Sequence, residues 1–325
     1  MLSLDQSPYV VGVTGHMDLR PEKISLLKYR IEILLRFITS GAGKKTEQLG
    51  ELIELLEHGD IDKRNSYSAE AYLRGLGNWP SFNKTPLVVL TSLAPGADSI
   101  FAEVALDLKS KGHNIHVIAP LPFHHDQYKD ATTFTDDDQQ TQKQRKEKYQ
   151  ELLLKVGVEN TFCVRTKNDV DLEVEDSGNS AHRYAAGEYI AKHSHLMVAI
   201  WDHEHDANAL SGTAAIVRAR RSHSRFDTNS DVGLNLPHGG PLFHLYTHRQ
   251  DNVGPANEFL KARFLYCYST EPQAKGTLSA DQREQREALW HFGDLALMRR
   301  IAMNLENFNR ETVQAKLRLQ KRSTL

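Results

Sequence analysis

Short continuous apolar runs alternate along this chain with stretches in which apolar residues recur every three or four positions. The runs are Tyr9–Val13, 87–93, 114–119, 161–164, 195–201 and 241–246. Each is bounded by Gly, Pro or polar residues and has the length of a strand buried on both faces. Between them, 21–38 carries Ile24, Leu27, Ile31, Leu34 and Leu35 at helical spacing, with Pro21 suited to a first turn. Further helices are predicted over 99–111, ended by Gly112, and over 139–155, 183–192 and 213–222. Strand–helix alternation of this kind predicts an α/β fold, a mostly parallel sheet with right-handed crossovers and flanking helices.

Two segments depart from the alternation. Residues 41–84, with a short amphipathic stretch around Leu49–Leu56 and an end at Trp79-Pro80, read as a helical insertion on the sheet's flank. From Asp281 to about Leu319 there is no proline and only one glycine, Gly293. There, Leu289, Phe292, Met298, Ile301, Leu305 and Phe308 form a helical stripe. Such a stripe is read first as packing on the parent domain, and second as a surface for a second copy or an effector partner. The basic end, Arg310 to Arg322, is a solvated tail or a contact for an acidic partner. The division that follows is a domain over 1–250 and a C-terminal helical extension over 251–325.

Three strand-end turns carry the candidate chemistry. Thr14-Gly15-His16-Met17-Asp18 follows the first run, Ala94-Pro95-Gly96-Ala97-Asp98 the second, and Ser211-Gly212-Thr213-Ala214 comes after Trp201-Asp202 of the fifth. In an open parallel sheet, ligands bind at such carboxyl ends. Small residues there admit a close backbone approach, and a following helix N-terminus favours an anion. At the first turn, His16 and Asp18 read as polar contacts to a base or ribose, with Asp18 as a helix cap the plainer alternative. At the second, Asp98 reads as a ribose contact or an N-cap. Trp201 reads as a base-stacking residue or as sheet packing. At the third, backbone N–H groups and the Thr213 hydroxyl suit a phosphate.

The order Val-Thr-Gly-His, Ser92-Leu93-Ala94-Pro95-Gly96-Ala97-Asp98 with Phe101-Ala102-Glu103, Pro120-Leu121-Pro122 with Tyr128, Tyr184-Ala185-Ala186-Gly187, Ala199-Ile200-Trp201-Asp202 and Gly212-Thr213-Ala214 resembles the SLOG superfamily. That group is similar to the DNA-processing protein A and the Lonely-Guy, lysine decarboxylase-like proteins. The resemblance spans roughly residues 8–247. It implies a Rossmann-like domain that binds a nucleotide or an ADP-ribose-type, NAD-derived ligand, often in bacterial signalling or defence. One branch of the group hydrolyses nucleoside phosphates. The Lonely-Guy enzymes carry a glutamate three residues after the threonine, where this chain has Ile216, and an aliphatic side chain cannot move a proton. Many relatives also carry Arg where Met17 stands.

Composition narrows the classes further. A net charge of −2 offers no basic field, which argues against nucleic acid as partner. No apolar stretch approaches the roughly 20 residues of a membrane span. The start, Met1–Asp5, has neither half of a signal peptide, so a cytoplasmic location is expected. Cys163 and Cys267 lie in apolar runs and are expected to be small buried hydrophobes. His124-His125-Asp126 and Asp202-His203-Glu204-His205-Asp206 match no zinc spacing, so no metal is assigned. Ligand sensing is therefore the leading reading. A nucleotide or nucleoside hydrolase using Asp98, Asp202 or Glu188 is the alternative, and single-stranded DNA binding is third.

Overall fold

The structure is a computed structural model that describes residues 6–39, 85–165, 179–202, 212–221, 241–250, 262–265 and 301–320. The insertion at 41–84, Ser211 and the run 203–206 lie outside the described residues.

The strands are β1 (Tyr9–Gly15), β2 (Leu87–Leu90), β3 (Ile115–Leu121), β4 (Thr161–Cys163), β5 (Leu196–Trp201), β6 (Leu242–Tyr246) and β7 (Ala262–Leu265). They form one sheet in the order β4-β3-β2-β1-β5-β6-β7. The first six are parallel, and β7 runs antiparallel to β6 at the edge. The helices are α1 (Ile24–Thr39, after a 3-10 turn over Pro21–Lys23), α2 (Ala97–Ser110), a short α3 (His125–Tyr128), α4 (Gln139–Val156), α5 (Asn179–His193), α6 (Thr213–Arg221) and α7 (301–320). The α/β, Rossmann-like architecture expected from the alternation is the one observed. Among the described residues no helix is long and apolar enough to cross a membrane.

Both sheet faces are covered, and β5 shows how. Leu196, Val198 and Ile200 join the large core beneath α1, α2 and α4, whereas Met197, Ala199 and Trp201 pack against α5 and α6. Alternate side chains of a strand point to opposite faces, so an unbroken apolar run is what two covered faces require. Arg220 of α6, itself buried, donates to the Ala191 and Ser194 carbonyls at the end of α5, satisfying acceptors that a helix terminus leaves open.

Several boundaries moved for physical reasons. β2 stops at Leu90 rather than running to 93, because the Thr91 hydroxyl donates to the Asp98 carbonyl while accepting from the Leu93 N–H. That closes a turn in which Leu93 has φ +56°. β3 continues through Pro120, which pairs with Phe162 at the sheet's short edge strand. Cys163, expected to be buried, is exposed on that strand. β7 shows that 251–325 is not wholly helical, since it contributes an edge strand.

The face of α7 that docks differs from the expected stripe. Ala302 is buried, Ile301 and Leu305 are half-buried against the core, but Phe308 is 55% exposed. Its place is taken by Asn309, fully buried, whose side-chain amide accepts from the Ser7 N–H (2.7 Å) and donates to the Ser7 carbonyl (2.8 Å) and the Thr85 hydroxyl (2.9 Å). Thr85 in turn donates to Glu306 at 2.7 Å. Asn309→Ala strands these buried groups, at about 1–3 kcal/mol for each group left unpaired. Urea unfolding should show that loss, and amide exchange should show α7 losing protection first.

Candidate functional site

β1 is the pivot of the topology. It pairs with β2 on one side and β5 on the other, and the connections leave those two neighbours in opposite directions. Such a reversal opens a crevice beyond the carboxyl ends of the two central strands. His16 is the first residue past β1 and Asp202 the first past β5. The His16 N–H donates to the Ile200 carbonyl at 3.1 Å, which locks the turn to β5. The His16 Nε2 then lies 2.9 Å from Asp202 Oδ1, with side chains 14% and 3% exposed. His16 Nε2 has no hydrogen-bond partner among the described residues. A sheltered carboxylate beside an imidazole gives the carboxyl edge two polar groups at the ends of its central strands.

The two glycines of the first turns serve the protein's own close packing. A Cβ on Gly15 would overlap Ala97 and lie 2.7 Å from the Ile200 carbonyl oxygen. Gly96, at φ +83°, is the N-cap of α2 and lies against the His16–Met17 backbone. The Ala97 N–H donates to the His16 carbonyl at 2.9 Å, which joins the first two turns into one rigid block. Ala97 is wholly buried within that block.

Asp18 does not cap a helix. Its carboxylate accepts from Arg249 Nε at 2.8 Å and its carbonyl from the Gln250 N–H, tying the first turn to the segment after β6. Trp201, expected at the crevice edge, is fully buried and packs on His244 with ring centroids 5.6 Å apart. Protein covers it, so the base-stacking role finds no open face.

Asp98 is not an N-cap either. It is 7% exposed, and the Ser92 hydroxyl donates to its Oδ2 at 2.6 Å. Burial pushes its carboxyl up to about 7, against the lowering effect of Ser92. Buried Tyr128 lies close by, its phenol held well above the ordinary value by burial first and by the Asp98 charge second. Ser92 and Tyr128 belong to the motifs quoted above, yet nothing local marks them as Asp98's neighbours. Only folding joins β2's end to the loop after β3.

The third turn is different in kind. Gly212 has φ +86°, and a Cβ there would meet nothing within 4 Å among the described residues. It precedes Thr213, the buried first residue of α6. One turn on, Ile216 is buried and fills the space above Gly187, where a Cβ would lie 2.7 Å from its Cδ1. Ile216 is thus core packing. Glu188 is wholly buried on α5 and paired with Lys192 at 3.0 Å, inside the molecule rather than at the crevice. Among the described residues, His124, His125 and Asp126 are near enough to share a cation, but His124 and Asp126 are exposed and paired within the cluster.

Comparison with protein-family models finds none that matches this chain, and comparison with curated proteins finds no significant relative.

Proposed function

We propose that this chain is a SLOG-like, Rossmann-type module that binds a nucleotide or an ADP-ribose-type small molecule at the carboxyl-edge crevice. The observation that carries this reading is the sheltered His16–Asp202 pair at the β1/β5 switch point. On the same edge stands Gly212 at the start of α6, with no described residue within 4 Å of where its Cβ would lie. Unpaired N–H groups at a helix start favour an anion, and the switch point is where parallel sheets take nucleotides. The ligand event is passed on in the cytoplasm to a second copy or an effector through α7, on which Phe308, Leu317 and Leu319 stand exposed. The resemblance of the motifs supports a role in bacterial signalling or defence.

A hydrolytic reading is favoured by the sheltered Asp98 carboxyl, which accepts from the Ser92 hydroxyl at 2.6 Å and which burial pushes up to about 7, a value suited to proton exchange at neutral pH. One experiment separates the two. Thermal-shift titration against AMP, cyclic nucleotides, NAD and ADP-ribose should stabilise the fold by about 2.7 kcal/mol at a hundredfold excess over Kd. Chromatography of the hit after overnight incubation should return it intact. A released base would establish the hydrolase instead, and no shift with any of these compounds would sink the nucleotide reading.

Gly212→Asp is expected to weaken binding of the nucleotide hit at least about tenfold, by placing a negative charge where an anion's partner N–H groups lie. Gly212→Asn carries the same backbone strain without the charge and should bind far better. Equal affinity for Gly212→Asp and the parent would remove the third turn from the site.

A further inference from the structure

The three helices on one face of the sheet do not pack shut. Between α1, α2 and α4 lies a cavity of about 440 Å³, a size that takes a small organic ligand. The wall given by α4 consists of Thr141, Gln144, Arg145, Lys148 and Tyr149. Their i, i+3, i+4, i+7, i+8 spacing is the stripe a helix ordinarily fills with apolar residues. Here only Tyr149 is a core side chain. A polar stripe turned towards neighbouring helices is poor packing, and it makes a good lining. Apolar surface remains at the floor, in Leu93, Ile100 and Phe134.

The charges converge on one carboxylate. Glu103 of α2 sits between Lys28 of α1, 2.8 Å from its Oε1, and Lys148 of α4, 3.1 Å from its Oε2. Burial would raise the Glu103 carboxyl, but the two lysines hold it below its usual range. Arg145 also lines the cavity, paired at 2.8 Å with Asp136, which does not. Among the described residues, three cationic side chains therefore line a space that holds one acid. Half-exposed pairs of this kind are weak, so an incoming anion can exchange with Glu103 at little cost. His16 and Asp202 do not line this cavity; Met17 and Gly96 form the rim nearest to them.

We propose that this cavity is a second binding site, for a small organic anion with an apolar or aromatic body whose charged group takes Glu103's place between Lys28 and Lys148. The probe is 1-anilinonaphthalene-8-sulfonate, titrated by fluorescence into the full chain, with phenyl phosphate as competitor and phenol as its uncharged control. One saturable site is expected, displaced by phenyl phosphate and not by phenol. Lys28→Gln and Lys148→Gln should each weaken it about tenfold, the loss of one charge contact. Glu103→Gln should tighten it several-fold, a gain that a purely structural clamp cannot produce. Gln144→Trp, at an exposed position, should fill the space and abolish binding while circular dichroism and the nucleotide response stay unchanged. Non-saturable or absent probe binding overturns the proposal, as does indifference to the charge variants. Loss on Gly212→Asp does so too, because it places the probe in the switch-point crevice.

Discussion

Gly96→Ala is expected to destabilise the protein by about 3–5 kcal/mol, enough to leave little folded material at 37 °C. Gly96 adopts φ +83° and ψ −128°, a region that glycine enters freely and alanine does not. Strain of that sort is worth about 1–3 kcal/mol. The added Cβ would also overlap the His16 carbonyl oxygen and lie 2.5 Å from the Met17 Cα. Those atoms are backbone, held by the Ala97-to-His16 hydrogen bond, and cannot swing aside. Gly112→Ala is the control. Its φ is +90°, yet none of the described residues lies within 4 Å of the added Cβ, so only the dihedral strain is felt. Denaturant unfolding of the two variants measures the contact contribution by difference. If both lose the same amount, the first two turns are not the rigid block described above.

Asp98→Asn should make the protein more stable, and increasingly so as pH rises. The folded-state carboxyl is raised from 3.8 to about 7, so the folded chain holds a proton that the unfolded chain releases. Stability from that proton is complete below about pH 3.8 and is lost as pH climbs to about 7. The loss runs at about 1.4 kcal/mol per pH unit. Asparagine stays neutral and can still accept the Ser92 hydroxyl. The variant should therefore gain roughly 2–3 kcal/mol on the parent between pH 5 and pH 8. His195 acts in the opposite sense. Burial first, and Arg220 second, lower it to about 4, and its Nδ1 accepts the Val10 N–H at 2.9 Å. Its contribution is lost as pH falls from 6.5 towards 4. That effect is common to both proteins and cancels in the difference between their melting curves. A difference that does not change with pH would show that Asp98 is ionised in the fold.

Some of the site was legible from local pattern and some was not. The unbroken apolar runs revealed the doubly covered parallel strands, because burial on both faces leaves no polar alternation to see. They also located the turns at the strand ends. Trp201 shows the limit: a residue closing a strand has the same local sequence whether its ring meets a ligand or, as here, His244. β7 was missed because four residues on a sheet edge carry little periodicity. On α7 the buried stripe includes Glu306 and Asn309, and hydropathy alone reads polar residues as the outward face.

The sequence by itself determined the order of the first six strands and of the helices between them, and the doubly wound class. Those follow from side-chain chemistry and periodicity, which act over a turn or a pleat. Only the tertiary structure decided that β1 is the switch point, that His16 meets Asp202, and that Asp18 pairs with Arg249. It alone gathered Lys28, Glu103 and Lys148 around one cavity. Each of these pairs residues far apart along the chain, and their proximity is set by sheet order and crossover direction, which no local pattern encodes.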